Sequence, residues 1–249
     1  MIIIKTIDEI KIMEEAGKIL AEIMKQLEGM VKPGIITKEL DEIAEDLILK
    51  SNAEPVFKGY NNFPLTICTS INQVIVHGLP SDYILKKGDI LSLDIGLKHK
   101  MYCSDMAVTL PVGEISLEAQ RLIKVTKKSL KRGLRKIRPG NTFGDIGNTV
   151  QRYVESQGFN IVRDLCGHGI GKELHEDPEV LNYGKRRKRE ELIEGMVFCL
   201  EPMVTAGDWH IKKSKDGYGI ESKDDSLSAH FEHTIAVTKN GCKILTDLK

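Results

Sequence analysis

Apolar positions recur at helical spacing over residues 7–29, where Ile10, Met13, Ala16, Gly17, Leu20 and Met24 share one face. Pro33-Gly34 breaks that stretch. Thr37 then reads as an N-cap, with Leu40, Ile43, Ala44 and Leu47 forming the stripe of a second helix. Apolar runs predict strands over 65–70, 89–95 and 101–110. Helical periods return over about 116–136 and 142–157, and strands follow over 161–165, 196–200 and 230–237. The alternation predicts an α/β chain. Two of the apolar runs finish in an acid: Asp89-Ile90-Leu91-Ser92-Leu93-Asp94 and Met196-Val197-Phe198-Cys199-Leu200-Glu201. A carboxylate buried among apolar neighbours is costly unless paired, hydrogen-bonded or bound to metal. Packing alone therefore does not account for Asp94 or Glu201.

The two halves of the chain resemble each other. Val31-Lys32-Pro33-Gly34 returns as Ile137-Arg138-Pro139-Gly140, 106 residues on, each time between two amphipathic segments. Lys87-Gly88 ahead of the Asp94 run returns as Glu194-Gly195 ahead of the Glu201 run, 107 residues on. Asp105 with Ala107-Val108-Thr109 echoes Glu232 with Ala236-Val237-Thr238 more loosely. Pro-Gly after a helix is common punctuation. Two motifs at nearly one offset favour a duplication, with halves of about 8–113 and 114–249 in a single domain spanning 1–249. A pseudo-twofold arrangement would bring the acids together on its axis.

Composition narrows the classes. With 36 Lys plus Arg against 36 Asp plus Glu over 249 residues, formal net charge is zero. A general DNA or membrane-surface binder needs a positive excess. The basic run Lys185-Arg186-Arg187-Lys188-Arg189 reads first as a solvated loop, with an RNA- or ribosome-facing role as the minority reading. The five cysteines are odd in number, widely spaced and contain no Cys-x-x-Cys, which excludes a zinc ribbon and suggests free thiols in a reducing compartment. Met1-Ile2-Ile3-Ile4-Lys5 is too short for a signal h-region, and no apolar run approaches the roughly 20 residues that span a bilayer. A cytoplasmic protein is expected, and zero net charge with a self-contained core fits a monomer.

Four acids and a histidine then stand out: Asp94, Asp105, His168, Glu201 and Glu232. Crowded together, the carboxylates carry about four negative charges, which two divalent ions would offset. His168 adds a nitrogen donor that biases the site toward transition metals over Ca²⁺ or Mg²⁺. It sits in Cys166-Gly167-His168-Gly169-Ile170-Gly171, whose glycines suit a ligand on a tight turn. Neither nucleotide pattern fits: Cys166 and Glu173 break the P-loop, and Lys172 breaks the dinucleotide fingerprint.

These residues carry a resemblance. Gly167-His168-Gly169-Ile170-Gly171, His175-Glu176-Asp177-Pro178, Leu200-Glu201-Pro202-Met203 and Phe231-Glu232-His233-Thr234 resemble type I methionine aminopeptidase, in its short bacterial form. So do Thr69-Ser70-Ile71-Asn72 with His77-Gly78, and Asp94-Ile95-Gly96 followed by Ser104-Asp105. The acid and histidine positions alone would indicate the wider creatinase-like superfamily. The His77-Gly78 and Ser228–Thr234 stretches narrow it.

The resemblance implies the pita-bread fold, two pseudo-symmetric halves around a binuclear site holding Co, Mn, Fe or Zn. Asp94 would be bidentate on one ion, Asp105 and Glu232 would bridge both, and His168 and Glu201 would complete the other shell. A shared water or hydroxide would attack the carbonyl after an initiator methionine followed by a small residue. Glu201 would shuttle the proton, His175 would bond the carbonyl or its oxyanion, and His77 would meet the scissile amide or the next residue. The methionine pocket would draw on Tyr60, Phe63, Cys68, Leu174, Tyr218 and the neighbourhood of Phe231. Tyr218 stands where many relatives carry Trp, and Leu174 where they carry Phe. Asn72, Val74 and Ser228 match a monovalent-cation site of some relatives. No zinc-finger extension precedes the domain, no long insertion lies between His175 and Glu232, and the 185–189 loop departs from the family's usual sequence there.

The expected activity is removal of the N-terminal Met from nascent polypeptides, with a transient ribosome contact as an accompanying partner reading. Two alternatives are carried. An Xaa-Pro aminopeptidase shares these ligands but needs an extra N-terminal domain, for which too few residues precede Asp94. A non-catalytic binding protein on the same fold would be expected to lose ligands, and all five are present; a paralogue with weak or altered activity would keep them and stays open as the remaining alternative.

Overall fold

The first helical stripe becomes α1 (Ile7–Met30), which buries Met13, Ala16, Leu20, Met24 and Leu27. Thr6 caps it: its hydroxyl accepts from Glu9 N at 3.3 Å, while the Glu9 carboxylate accepts from Thr6 N at 2.8 Å. In this computed structural model, residues 1–248 are described. Helix α2 (Thr37–Lys50) departs from expectation at its start, because Ile36 occupies the N-cap and Thr37 is already helical. The Thr37 hydroxyl is engaged elsewhere, donating to Ser81 O and accepting from Ser81 N, both at 2.9 Å. Helices α3 (Leu117–Leu134) and α4 (Phe143–Ser156) match the later stripes, capped by Ser116 and Thr142.

The strands are more numerous and shorter than the pattern predicts. In chain order they are β1 (Glu54–Pro55), β2 (Ile67–Ile71), β3 (Val74–Val76), β4 (Ile90–His99) and β5 (Tyr102–Pro111). After α4 come β6 (Asn160–Ile161), β7 (Gly167–Gly169), β8 (Glu176–Val180), β9 (Val197–Leu200) and β10 (Met203–Thr205). The last are β11 (Ile211–Lys213), β12 (Ile220–Ser222), β13 (Ser228–His230), β14 (His233–Thr238) and β15 (Gly241–Ile244). Of the strand expected over 161–165 only Ile161 is extended, as the second residue of β6. The one expected over 230–237 is split, with Phe231-Glu232 between β13 and β14.

Strand β4 pairs along one edge with β1 and β2, and along the other with β5 over ten residues. The β4–β5 hairpin closes through Lys100-Met101, both at positive φ (47° and 74°), as a two-residue hairpin loop requires. A five-stranded sheet runs β15-β14-β9-β7-β8. Two three-stranded sheets, β13-β10-β6 and β11-β12-β3, complete the set.

Helices α1 and α2 cover β2 and β4 through Leu20, Leu27, Leu40, Ile67, Leu91 and Leu93. Helices α3 and α4 cover the later strands through Leu122, Leu130, Ile146, Val150, Phe198 and Ile235. A third cluster joins the two layers with Met13, Phe57, Phe63, Cys68, Leu174 and Cys199. Burial of this apolar surface supplies the main drive to fold. The acids lie where the layers meet.

Candidate active site

Asp94 does not end its strand. It lies mid-way along β4, opposite Cys68 on β2 and Ala107 on β5. Asp105 faces Gly96, two residues further along β4. Alternation of side chains across a strand therefore puts Cys68, Asp94 and Asp105 on one face. Glu201 follows the last residue of β9, as the apolar run suggests, and Asn182 Nδ2 donates to its backbone carbonyl at 3.0 Å. Glu232 occupies the break between β13 and β14, its N–H donating to Ala107 O at 2.9 Å, and is 2% exposed. The break separates neighbours: Glu232 turns to the acids, while Phe231 packs with the α3 core and not in the cavity.

His168 sits on the short strand β7 rather than on a tight turn. Its glycines serve close approach. A Cβ on Gly167 would meet Cys199 O at 2.3 Å, and one on Gly169 would meet Asp177 O at 2.0 Å. The ring Nδ1 is 3.0 Å from Gly169 O, a bond that places the proton on Nδ1. Nε2 then faces Glu201 Oε1 at 3.5 Å and Asp105 Oδ2 at 3.9 Å with its lone pair.

All twelve expected site residues line one cavity of about 640 Å³. On its floor stand Asp94, Asp105, His168, Glu201 and Glu232. His77 and His175 project into the open part. His77 has φ +58°, a strained conformation for a non-glycine residue that persists only where neighbours enforce it. They do: Gly78 N donates to Ser70 Oγ at 3.0 Å, and Thr69 N donates to Gly78 O at 2.7 Å. The ring of His175 stands edge-on to His168, centroids 4.2 Å apart, and its Nδ1 lies 2.6 Å from the Tyr60 hydroxyl. Tyr60, Phe63, Cys68, Leu174 and Tyr218 form an apolar wall, with Phe63 and Tyr218 edge to face at 5.7 Å.

Sequence reasoning missed Phe57, Val76, Leu165, Met203 and His230, which also line the cavity. Only His230 carried a signal, an imidazole two residues from Glu232. The others are apolar residues with nothing local to distinguish them from core. Asn72, Val74 and Ser228 do meet: the Ser228 hydroxyl donates to Asn72 O at 3.0 Å and to Val74 O at 2.9 Å.

The electrostatics fit a bound cation. Burial and the other carboxylates push Asp105, Glu201 and Glu232 well above the usual carboxylate range, and burial raises Asp94. Lys213 is the one lysine or arginine among the described residues of the lining. Asp94 Oδ1, Asp105 Oδ1 and Glu232 Oε1 are buried without a hydrogen-bond partner. Oxygens of Asp94, Asp105 and Glu232 lie within 4.8 Å of one another, and His168 and Glu232 approach equally closely in a group with Cys199. Burial and the adjacent acids push the Cys199 thiol up, and its sulfur is engaged by the Thr234 hydroxyl at 3.5 Å, which leaves a cluster of oxygen donors with one nitrogen. Burial lowers His168 to about 3, keeping it neutral as a ligand must be. Orphaned carboxylate oxygens around a neutral imidazole are what divalent metal ions satisfy.

Known proteins agree. A methionine aminopeptidase of Clostridium acetobutylicum is 50% identical over 99% of each chain. The crystal structure of methionine aminopeptidase from Rickettsia prowazekii superimposes at TM-score 0.97, with 41% identity over 99% of this chain and all of that one. The pita-bread fold expected from the resemblance is therefore the fold observed. The prolidase of Pyrococcus horikoshii reaches TM-score 0.77 at 25% identity, and this chain spans 64% of it. The description metallopeptidase family M24 matches residues 11–239, and the chain belongs to that family.

Proposed function

We propose that this protein is a metal-dependent methionyl aminopeptidase that removes the initiator methionine from nascent polypeptides with a small second residue. The observation that carries the reading is the apolar wall of Tyr60, Phe63, Cys68, Leu174 and Tyr218 opening directly onto the acid cluster. That wall suits an unbranched thioether side chain. Relatives named methionine aminopeptidase, similar along the full chain, support it. The Xaa-Pro alternative is not favoured, since the prolidase neighbour is less similar in sequence and fold than the Rickettsia methionine aminopeptidase, at 25% against 41% identity and TM-score 0.77 against 0.97. The binding-only alternative is not favoured either, since every donor of the cluster is present.

Asp94, Asp105, His168, Glu201 and Glu232 would hold two divalent ions, which when bound polarise the scissile carbonyl and lower the pKa of water. The rest falls to the chain. The apolar wall takes the methionine side chain and excludes water around it. Glu201 accepts a proton from the attacking water and delivers it to the departing amine. His175 faces the carbonyl as it gains negative charge; with the Tyr60 hydroxyl donating to Nδ1, Nε2–H is free to stabilise the oxyanion. His77 meets the scissile amide or the residue after it. Single-domain organisation over 1–249, with related halves of about 8–113 and 114–249, is part of the same reading. It is supported by the two helix pairs that each cover their own strands.

The carbonyls of Asn72 and Val74 converge beside the Ser228 hydroxyl, which supports a monovalent cation there. Arg186 and Arg187 share a polar cleft of about 300 Å³ with Lys136, which supports a transient ribosome contact by the 185–189 loop. Among the described residues no helix is long and apolar enough to cross a membrane, and we place the enzyme in the cytoplasm as a monomer.

The test is methionine release from Met-Ala-Ser by metal-stripped protein with Mn²⁺, Fe²⁺ or Co²⁺ restored, beside Ala-Pro-Ala. Metal-dependent release from the first peptide alone is expected. Cleavage of the proline peptide instead would move the protein to the Xaa-Pro class, and cleavage of neither would end the peptidase reading.

A further inference from the structure

His230 has no role in the chemistry above, yet it is the most anomalous side chain around it. It is 1% exposed and both ring nitrogens lack a partner. A buried polar group without a hydrogen bond is costly, so a fully orphaned imidazole needs a reason. Its place is not accidental slack. Strand β13 pairs His230 with Met203 on β10, just beyond Glu201-Pro202. Its backbone is clamped to Thr109, whose hydroxyl accepts from His230 N and donates to His230 O, both at 2.8 Å. Ser92 holds that hydroxyl in turn, 2.8 Å away. The ring therefore has a fixed mount.

Its Nε2 points at Glu201 Oε2 from 3.6 Å, just beyond hydrogen-bond length. The other oxygen of Glu201, Oε1, is 3.5 Å from His168 Nε2. Glu201 thus stands between two imidazoles, one for each oxygen. His168 offers a lone pair, because its proton is held on Nδ1 by Gly169 O. A neutral His230 can instead present Nε2–H to a carboxylate oxygen, which accepts only.

We infer that His230 is a positioning residue that holds Glu201 Oε2 through Nε2–H and so commits Oε1 to the metal side of the cavity. The inference rests on the peptidase reading for its kinetic consequence, but not for its metal-binding one. Residues that orient a metal-binding side chain typically change ion affinity or activity by about 10- to 100-fold when removed. A carboxylate free to rotate would divide itself between two poses and lose both ion affinity and proton delivery.

The experiment compares His230→Leu, close in volume but apolar, with His230→Gln, whose amide N–H can reach Oε2. Each is titrated with Co²⁺ by calorimetry and assayed on Met-Ala-Ser. In His230→Leu we expect Co²⁺ affinity and kcat each to fall about tenfold with KM within about twofold, and His230→Gln to recover most of both losses. If the Leu variant does not fold, His230→Asn replaces it, its amide being too short to reach Oε2. The inference is overturned if the apolar or short variant keeps both quantities within twofold of wild type. It is equally overturned if Gln is no better than that variant, or if Gln loses the affinity of one ion entirely, which would make His230 itself a ligand. Absence of methionine release from the wild type would defeat the peptidase reading, while the Co²⁺ titration would still decide the role of His230.

Discussion

The Tyr60 hydroxyl lies 2.6 Å from His175 Nδ1, so a residue of the apolar wall also orients an imidazole that projects into the cavity. Tyr60→Phe keeps the ring against His175, centroids now 5.1 Å apart, and removes only the hydrogen bond. One such bond is worth about 1 kcal/mol net, or roughly fivefold. We expect kcat on Met-Ala-Ser to fall by about that factor with little change in KM. A raised KM at constant kcat would assign Tyr60 to the pocket alone.

Glu201→Gln tests the proposed proton carrier. General acid–base catalysis contributes about 10²- to 10⁴-fold, so kcat should fall by at least about a hundredfold. Circular dichroism should show an intact fold. The same change removes one of four crowded buried carboxylates. In chelator the variant should therefore melt no lower than wild type, whereas added Mn²⁺ should stabilise wild type more than the variant. Residual activity near wild type would refute the role.

Gly169→Ala addresses β7. The new Cβ would meet Asp177 O at 2.0 Å, and neither backbone can yield without shifting His168. Overpacking of this kind costs about 1–3 kcal/mol. A fall in Tm of roughly 2–10 °C is expected, with metal affinity reduced as well. Unchanged Tm and metal binding would show that β7 does not need its glycine.

Glu9 offers a pH-dependent test outside the acid cluster. The Thr6 backbone, the Tyr102 hydroxyl and the Thr6 hydroxyl hold its carboxyl at about 2, below its usual 4.5. The folded state therefore favours the charged form. The stability it contributes is complete above pH 4.5 and is lost as pH falls toward 2. Glu9→Gln keeps the acceptor but not the charge. Its Tm deficit should be small, because the site is solvated, and should shrink between pH 4.5 and 2. A deficit independent of pH would show that the charge contributes nothing.

Burial of the acids was legible in the sequence, because apolar neighbours on both sides leave a carboxylate nowhere else to go. Where along its strand each acid sits was not. Asp94 reads as a strand end because Gly96 follows, yet β4 continues to His99, its end paired with Tyr102 to Asp105 across the hairpin and with the distant Glu54-Pro55 of β1. The run over 230–237 reads as one strand because its apolar content is continuous. The backbone N–H of Glu232 bonds Ala107 instead of the sheet, and the strand breaks there. The resemblance points to the neighbourhood of Phe231, whose neighbours His230 and Glu232 line the cavity while Phe231 itself packs in the α3 core. His230 was read past, since an isolated imidazole gives no hint in sequence that both its nitrogens will be left without partners.

The Lys100-Met101 loop sets more than a change of direction. Because β4 and β5 are joined by only two residues, the pairing of His99 with Tyr102 fixes every rung down to Gly96 and Asp105. Slipping β5 by one residue would send Asp105 to the helix-covered side. The spacing of the two aspartates is thus a discrete quantity, decided at a solvent-exposed hairpin tip. A single inserted or deleted residue there would dismantle the acid cluster without touching any of its members.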